Sequence, residues 1–138
     1  MTFPVVLLLT ALEAAPQPSS ASFTPEQLAG GAVREIMSAQ AYHKKTFPQQ
    51  GHACSIERLV EVQALGEAWA SNRRVDGYSF KLWCDPVNTP QTTYRTAAVP
   101  VKKTRGSTLT VCADETNVLR TIDGDPEACL ARGATPHD

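Results

Sequence analysis

Neither sign of charge dominates this sequence, in which 13 lysine and arginine residues stand against 14 aspartate and glutamate residues. The formal net charge of −1 removes the electrostatic reason to expect nucleic acid or an anionic membrane as a partner. The basic pairs are scattered along the chain, at Lys44-Lys45, Arg73-Arg74 and Lys102-Lys103, and we interpret them as solvated surface. The charge pattern therefore predicts no nucleic-acid partner.

A long hydrophobic run is also missing. The apolar stretch Pro4–Ala15 (PVVLLLTALEAA) has a core of about eight residues, whereas a helix that spans a bilayer needs about 20. A short apolar run followed by the small residues of PQPSSAS is typical of a secretory signal peptide, and only the absence of lysine or arginine before the run is untypical. We expect residues 1–21 to be a signal peptide cleaved after Ala21 or near Ala14-Ala15. A start codon placed downstream of the true one is the alternative. The prediction is a secreted or periplasmic chain with no membrane span after cleavage.

The cysteines lack the C-x-x-C spacing of tetrahedral zinc sites and thioredoxin-type redox sites. Four cysteines behind an export-like leader predict two disulfides formed in an oxidising compartment. Three connectivities are possible, and pairing nearest neighbours closes the smallest loops, each worth about 3–4 kcal/mol. The disulfide candidates are Cys54, Cys84, Cys112 and Cys129, which nearest-neighbour pairing would join as Cys54–Cys84 and Cys112–Cys129.

Recognisable catalytic motifs are absent as well. No serine or cysteine lies in a nucleophile elbow such as G-x-S-x-G, and the disulfide prediction removes the thiols from catalysis. Of the histidines, His43 is interpreted as a surface residue beside two lysines, His52 lies in a loop near Cys54, and His137 is close to the end of the sequence. No carboxylate pair is singled out for acid–base chemistry. We expect a protein that is not an enzyme and that has no cofactor, apart from the calcium ion considered below.

A helix is signalled at SFTPEQLAGG. Thr24 suits the N-cap, Pro25 the first helical position and Gln27 the third, which makes a capping box, while Phe23 and Leu28 are placed for a hydrophobic staple. Apolar residues then recur on one helical face, at Ala29, Val33, Ile36, Met37 and Ala41. The two glycines at 30–31 are expected to loosen the first turn. The helix is expected to end before TFPQQG, because a proline disfavours helix at the residue preceding it.

After the first helix, a second, short helix is predicted from an N-cap at Ser55 through Leu65. After Gly77 the spacing of apolar residues changes to every second residue, which is typical of strands. GYSFKLWC then alternates apolar and polar positions, and TTYRTAAVPV, STLTVCA and NVLRTI are further strand candidates separated by turn-rich segments. One amphipathic N-terminal helix packed on a four-stranded antiparallel meander is an α+β fold, in which the helix covers one face of the sheet. We predict a single globular domain over residues 22–138.

Four runs of this sequence together resemble the globular part of bacterial type IV pilin-like and pseudopilin proteins. They are AVREIMSAQAYHKKTFPQQGHACSIERL, GYSFKLWC, YRTAAVPV and GSTLTVCADETNVLRTIDGDPEAC, and they extend over about residues 32–129. The resemblance implies a pilin-like fold, in which a helix ending in a Tyr-x-x-x-(Tyr/Phe)-Pro element leads into a small sheet. It also implies a Cys112–Cys129 disulfide that closes the C-terminal loop. Neither the prepilin cleavage motif nor the long apolar helix of fibre-forming pilins is matched, so fibre assembly is not expected.

A calcium site is the sharpest alternative to a purely structural C-terminal loop. TIDGDPEAC places Asp123, Asp125 and Glu127 at alternate positions around a glycine, and carboxylate oxygens are the ligands that Ca²⁺ prefers. With Asp114 before the preceding strand, the candidate calcium ligands are Asp114, Asp123 and Asp125. The resemblance also implies such a site, because some pseudopilins hold calcium in the corresponding loop. The EF-hand pattern is absent and D-G-D-P is an ordinary turn sequence, which is the interpretation we favour.

Trp83 and Lys81 are the candidate partner-binding residues. Trp83 is predicted on the sheet face opposite Phe80 and Leu82, and an exposed aromatic beside a lysine can mark a protein-binding patch. The alternative, which we favour, is that the segment holding Trp69 covers Trp83.

Two function classes follow from these observations. The first is an exported, non-catalytic pilin-like module, a protein-interaction or structural component related to type IV pilus or type II secretion systems, whose partner is a component of such an apparatus. The second is a stand-alone secreted or periplasmic protein that binds a ligand or calcium and shares only the fold, because a fold does not determine a function.

Overall fold

The structure is a computed structural model that describes residues 22–71, 74–103 and 108–135. Its elements are, in chain order, α1 (Pro25–Thr46), α2 (Ile56–Glu61), a 3₁₀ turn (Glu67–Ser71), β1 (Tyr78–Trp83), β2 (Arg95–Pro100), β3 (Thr110–Asp114), β4 (Arg120–Ile122) and α3 (Pro126–Arg132). The four strands form one antiparallel sheet in the order β1-β2-β3-β4. The predicted α+β arrangement of an N-terminal helix and a four-stranded meander is therefore confirmed. The predicted signal peptide and His137 lie outside the described residues.

The first helix begins at the predicted cap. The Thr24 hydroxyl accepts a hydrogen bond from the Gln27 backbone N–H at 3.2 Å, and the Gln27 side chain accepts one from the Thr24 N–H at 2.9 Å. Phe23 and Leu28 stay 64% and 47% exposed, so the predicted staple buries little surface. The helix is continuous through both glycines and ends at Thr46, one residue later than predicted.

The buried face of α1 differs from the predicted one at its C-terminal end. Ala29, Val33 and Ile36 are buried as expected, and the helix packs on β2 and β3. Ala41 is exposed, however, and the stripe continues instead through Gln40 and His43, both 1% exposed. The spacing of 29, 33, 36, 40 and 43 follows the helical period more closely than the predicted set. The apolar pattern predicts a different face because these two buried positions carry polar side chains.

The second helix is shorter than predicted. It begins at the predicted cap, where the Ser55 hydroxyl accepts from the Arg58 N–H at 3.1 Å, but it ends at Glu61 and not at Leu65. Gln63 has φ of 61°, a left-handed conformation that a right-handed helix cannot contain. The Leu65 N–H bonds back to the Leu59 carbonyl at 3.0 Å, which folds the chain toward the 3₁₀ turn.

Helices pack on both faces of the sheet, whereas a helix was predicted on one face only. Tyr78, Phe80 and Leu82 lie in the main core, which they share with the buried side of α1. Helix α3 was not predicted, and it packs on β3 and β4. Its Cys129 is disulfide-bonded to Cys112 of β3, and both lie in a small second core. The signal for α3 is an aspartate N-cap followed by proline in D-P-E, a sequence that also suits the turn predicted there.

The disulfides join nearest neighbours along the chain. Cys54 pairs with Cys84, with 5.2 Å between their Cα atoms, and Cys112 pairs with Cys129, with 6.1 Å. No free cysteine is found among the described residues. Two disulfides are compatible with a secreted protein, because such bonds persist in oxidising compartments.

Candidate functional site

The loop that follows α1 folds back onto the helix through buried polar contacts. The Gln40 amide donates to the Ala53 carbonyl at 2.7 Å, and its oxygen accepts from the Ala53 N–H at 2.8 Å. Cys54, the next residue, is bonded to Cys84 just after β1. These contacts fix the start of α2 beside the end of β1.

His43 also holds the loop to the helix. It was predicted to be a surface residue, but it is buried. Its Nδ1 lies 2.6 Å from the Gly51 carbonyl oxygen, and its Nε2 lies 3.3 Å from the Arg58 Nε that donates to it. A carbonyl can only accept, so Nδ1 donates to Gly51 while Nε2 accepts from Arg58. Arg58 also lies over the Phe47 ring, 5.1 Å from its centroid. Both ring nitrogens are engaged, which gives His43 a structural role.

Gly51 allows the same loop to touch the segment after β1. It has φ of +78°, and a Cβ built there would lie 2.2 Å from the Gln91 carbonyl oxygen. The Gln91 backbone accepts from His52 at 2.9 Å and donates to Gln50 at 2.8 Å. The buried Gln91 side chain in turn bonds the Pro86 and Thr93 carbonyls, which ties the β1–β2 connection to the loop.

An apolar groove of about 600 Å³ lies between α2, the 3₁₀ turn and β1. Helix α2 contributes Ile56 and Val60, and β1 contributes four consecutive residues from Phe80 to Trp83. Consecutive residues of a strand point to opposite faces of the sheet, so a space that all four of them line must run along the edge of the strand. Among the described strands β1 pairs only with β2, which leaves that edge unpaired by another strand. We call this feature the edge groove.

Two tryptophans line the edge groove from different faces of the sheet. Trp69 packs edge-on against Phe80 with ring centroids 5.0 Å apart, and its indole N–H donates to Glu35 at 3.0 Å. Trp83 is half-buried on the opposite face, where it packs beside the Cys112–Cys129 core. The favoured sequence interpretation placed Trp83 under the Trp69 segment, whereas the described contacts of Trp83 are with the Cys112–Cys129 core.

The rim of the edge groove carries charge of both signs. Glu57 and Glu61, one helical turn apart on α2, form one side, and the exposed Lys81 lies on the strand side. Glu61 pairs with Arg58 at 3.5 Å, whereas Glu57 and Lys81 have no ion pair with any described residue. The predicted partner-binding residues, Lys81 and Trp83, thus line the same groove. Its other wall consists of acidic and apolar residues of α2 that were not among the predicted site residues.

A second cleft contains two polar atoms without partners. His52 Nδ1 and the Tyr94 hydroxyl are buried and unbonded among the described residues, and their rings lie 4.8 Å apart. Burial lowers the pKa of His52, and the nearby Lys44 lowers it further. Burial, with the nearby Asp114 and Glu115, raises the pKa of Tyr94 to about 12. Both groups are therefore neutral at pH 7.

The three candidate calcium ligands make separate local contacts. Asp114 accepts from the Thr116 N–H at 2.9 Å, Asp123 pairs with Lys103, and Asp125 caps α3 by accepting from the Ala128 N–H at 2.8 Å. In residues 22–71, 74–103 and 108–135 no three histidine, cysteine or acidic side chains come together in an arrangement that could hold a metal ion.

No protein-family model, curated protein or solved structure matches this chain. Within the part of the chain that the structure describes, no helix has both the length and the apolar character needed to cross a membrane.

Proposed function

We propose that this chain is an exported, non-catalytic protein-interaction module with a pilin-like fold, related to type IV pilus or type II secretion systems. The observation that carries the proposal is the edge groove, an open apolar surface with a charged rim on the side of β1 away from β2. Apolar concavities that contain tryptophan and have polar rims are typical of protein-binding surfaces.

The arrangement around the groove also supports this function. A 22-residue helix covers a four-stranded meander, and the Cys112–Cys129 disulfide attaches the C-terminal helix to the sheet. The helix, the four-stranded sheet and the Cys112–Cys129 pairing are features that the resemblance to pilin-like proteins implies, whereas the C-terminal helix is not one of them. The four thiols are oxidised and both nitrogens of His43 are engaged, so these groups serve structure.

Co-purification tests the proposal. The full chain with a C-terminal affinity tag is expressed in its own organism, cross-linked in intact cells, and purified under denaturing conditions that keep only covalent partners. We expect a pilus or secretion-system component to be recovered in stoichiometric amount. Recovery of the chain without any cross-linked protein would contradict the proposal.

Calcium binding is the competing outcome and can be measured on the same material. Under that alternative, millimolar Ca²⁺ would raise the melting temperature relative to chelator, because a ligand that binds only the folded state stabilises it. Asp123→Asn would remove the effect. The separate contacts of the three aspartates lead us to expect no calcium-dependent shift.

A further inference from the structure

We propose that the edge groove binds an extended segment of a protein partner as an added strand alongside β1, and that this segment carries a bulky apolar residue with lysine or arginine at alternate positions. The inference rests on the proposed function and specifies the kind of partner it needs. Three features support it: the orientation of the β1 backbone, the shape of the groove and the charge of its rim.

The register of β1 and β2 shows which backbone groups point into the groove. The Val101 N–H donates to the Gly77 carbonyl at 2.8 Å, so Gly77 and every second residue after it direct their N–H and C=O groups toward β2. The Lys81 carbonyl agrees with this alternation, because it accepts from the Thr96 hydroxyl at 2.8 Å. Leu82 must then direct its N–H and C=O away from β2.

On the side of β1 away from β2, the N–H and C=O of Leu82 have no hydrogen-bond partner among the described residues. An N–H and a C=O of one residue that face the same side form a pair that another extended backbone can match with two hydrogen bonds. Strand addition at a sheet edge uses such pairs for affinity and adjacent pockets for side-chain selection.

The groove supplies such a pocket beside Leu82. Ile56 and Val60 of α2 and the ring of Trp69 form its apolar wall. Side chains of an added strand alternate between the two faces of the sheet, so every second side chain would enter this space. A volume of about 600 Å³ accommodates one bulky side chain together with the backbone that carries it.

The rim charges select basic residues at alternate positions next to the apolar one. Glu57 has no ion pair among the described residues, and Glu61 lies one turn further along the same wall. Residues on one face of an extended chain repeat every 6–7 Å or so, close to the rise of a helical turn of about 5.4 Å. Basic residues at alternate positions of the segment can therefore reach these carboxylates. Lys81, on the strand side, disfavours a basic residue on the other face.

A displayed library of random peptides about twelve residues long, selected against the oxidised full chain, tests the inference. We expect enriched peptides with lysine or arginine two residues from a large apolar residue. Glu57→Lys should weaken them at least about tenfold, whereas Glu67→Lys, an equal charge change at an exposed residue that does not line the groove, should leave them unchanged. Lys81→Glu should strengthen binding, an effect that misfolding cannot produce.

Hydrogen exchange and N-methylated peptides test the proposed backbone pairing separately. Binding should slow hydrogen exchange at the Leu82 amide, and N-methylation of the peptide nitrogens that face β1 should abolish binding, whereas N-methylation at the intervening nitrogens should not. No enrichment, equal binding by both glutamate variants, or unchanged exchange at Leu82 would overturn the inference. Protection of Leu82 that rises with protein concentration without peptide would overturn it in favour of a second copy of the chain.

These results are distinguishable from failure of the proposed function. If cross-linking recovers a secretion component but no peptide is enriched, the edge groove is not the binding surface and the proposed function stands. If peptides bind at the groove and cross-linking recovers no such component, the strand-addition site stands and the assignment to a pilus or secretion system fails.

Discussion

Gln40→Leu should be among the most destabilising single substitutions on α1. The side chain is 1% exposed and makes two hydrogen bonds, both to the backbone of Ala53. Leucine fills a similar volume but cannot bond, so a buried N–H and a buried C=O lose their partners at a cost of about 1–3 kcal/mol each. Burial of the leucine methyl groups offsets about 1 kcal/mol of this. We expect a net loss of about 2–4 kcal/mol in the free energy of unfolding.

Urea denaturation of the oxidised protein, followed by tryptophan fluorescence, measures this loss. For a domain of this size it corresponds to a fall in melting temperature on the order of 10–15 °C. Gln49→Leu is the matched control, since Gln49 is exposed and has no hydrogen bond among the described residues, and it should change stability by less than about 0.5 kcal/mol. If Gln40→Leu changes the midpoint no more than the control does, the loop is not held to α1 by this amide.

Four further measurements follow from the structure. Thr24→Ala removes the N-cap oxygen of α1 and should cost about 1 kcal/mol; an unchanged midpoint would place the helix start later. Gly51→Ala should cost several times more than a typical surface substitution, because of its φ of +78° and its contact with backbone; wild-type stability would contradict that geometry. The folded-state pKa of His52 lies below its unfolded value, so its contribution to stability is present above about pH 6.5 and is lost as pH falls. His52→Asn should flatten that part of the pH profile, and an unaltered profile would show that the histidine is not buried. Mass spectrometry of non-reduced protein should find both nearest-neighbour disulfides, and any cross-pairing would contradict the strand order.

The parts of the fold that were predictable are those set by local signals. The capping box at Thr24, the cap at Ser55 and the alternation of Tyr78, Phe80 and Leu82 each depend on neighbouring residues, and each appears where the sequence places it. The meander order follows because short turn-rich connections make consecutive strands neighbours. Whether the fold is pilin-like stays a prediction.

The missed parts depend on contacts between distant segments. The sequence predicts His43 on the surface because a polar residue beside lysines is usually solvated, yet its Nδ1 donates to the Gly51 carbonyl of the loop and its Nε2 accepts from Arg58 of α2. The length of α2 was overestimated because nothing local reveals the left-handed Gln63. Helix α3 could have been found, since Asp125 and the proline after it form an N-terminal signal.

Only the strand side of the candidate site was predicted from the sequence. Lys81 and Trp83 were identified because an aromatic and a lysine alternate on one strand, but the opposite wall comes from α2 and the 3₁₀ turn. The position of α2 is set by the Cys54–Cys84 disulfide and by the hydrogen bonds that hold the preceding loop to α1. Such a juxtaposition has no signature in the local sequence.

The central claim is that the chain binds a protein through the edge groove, and photo-cross-linking inside the native organism tests it most directly. A photoreactive amino acid is placed at Lys81, on the groove rim, and in a separate variant at Lys45, which is exposed near the end of α1 and does not line the groove. We expect the variant at position 81 to give one discrete cross-linked product containing a pilus or secretion-system component, and the variant at position 45 to give none. Equal cross-linking from the two positions, or none from position 81, would contradict the account.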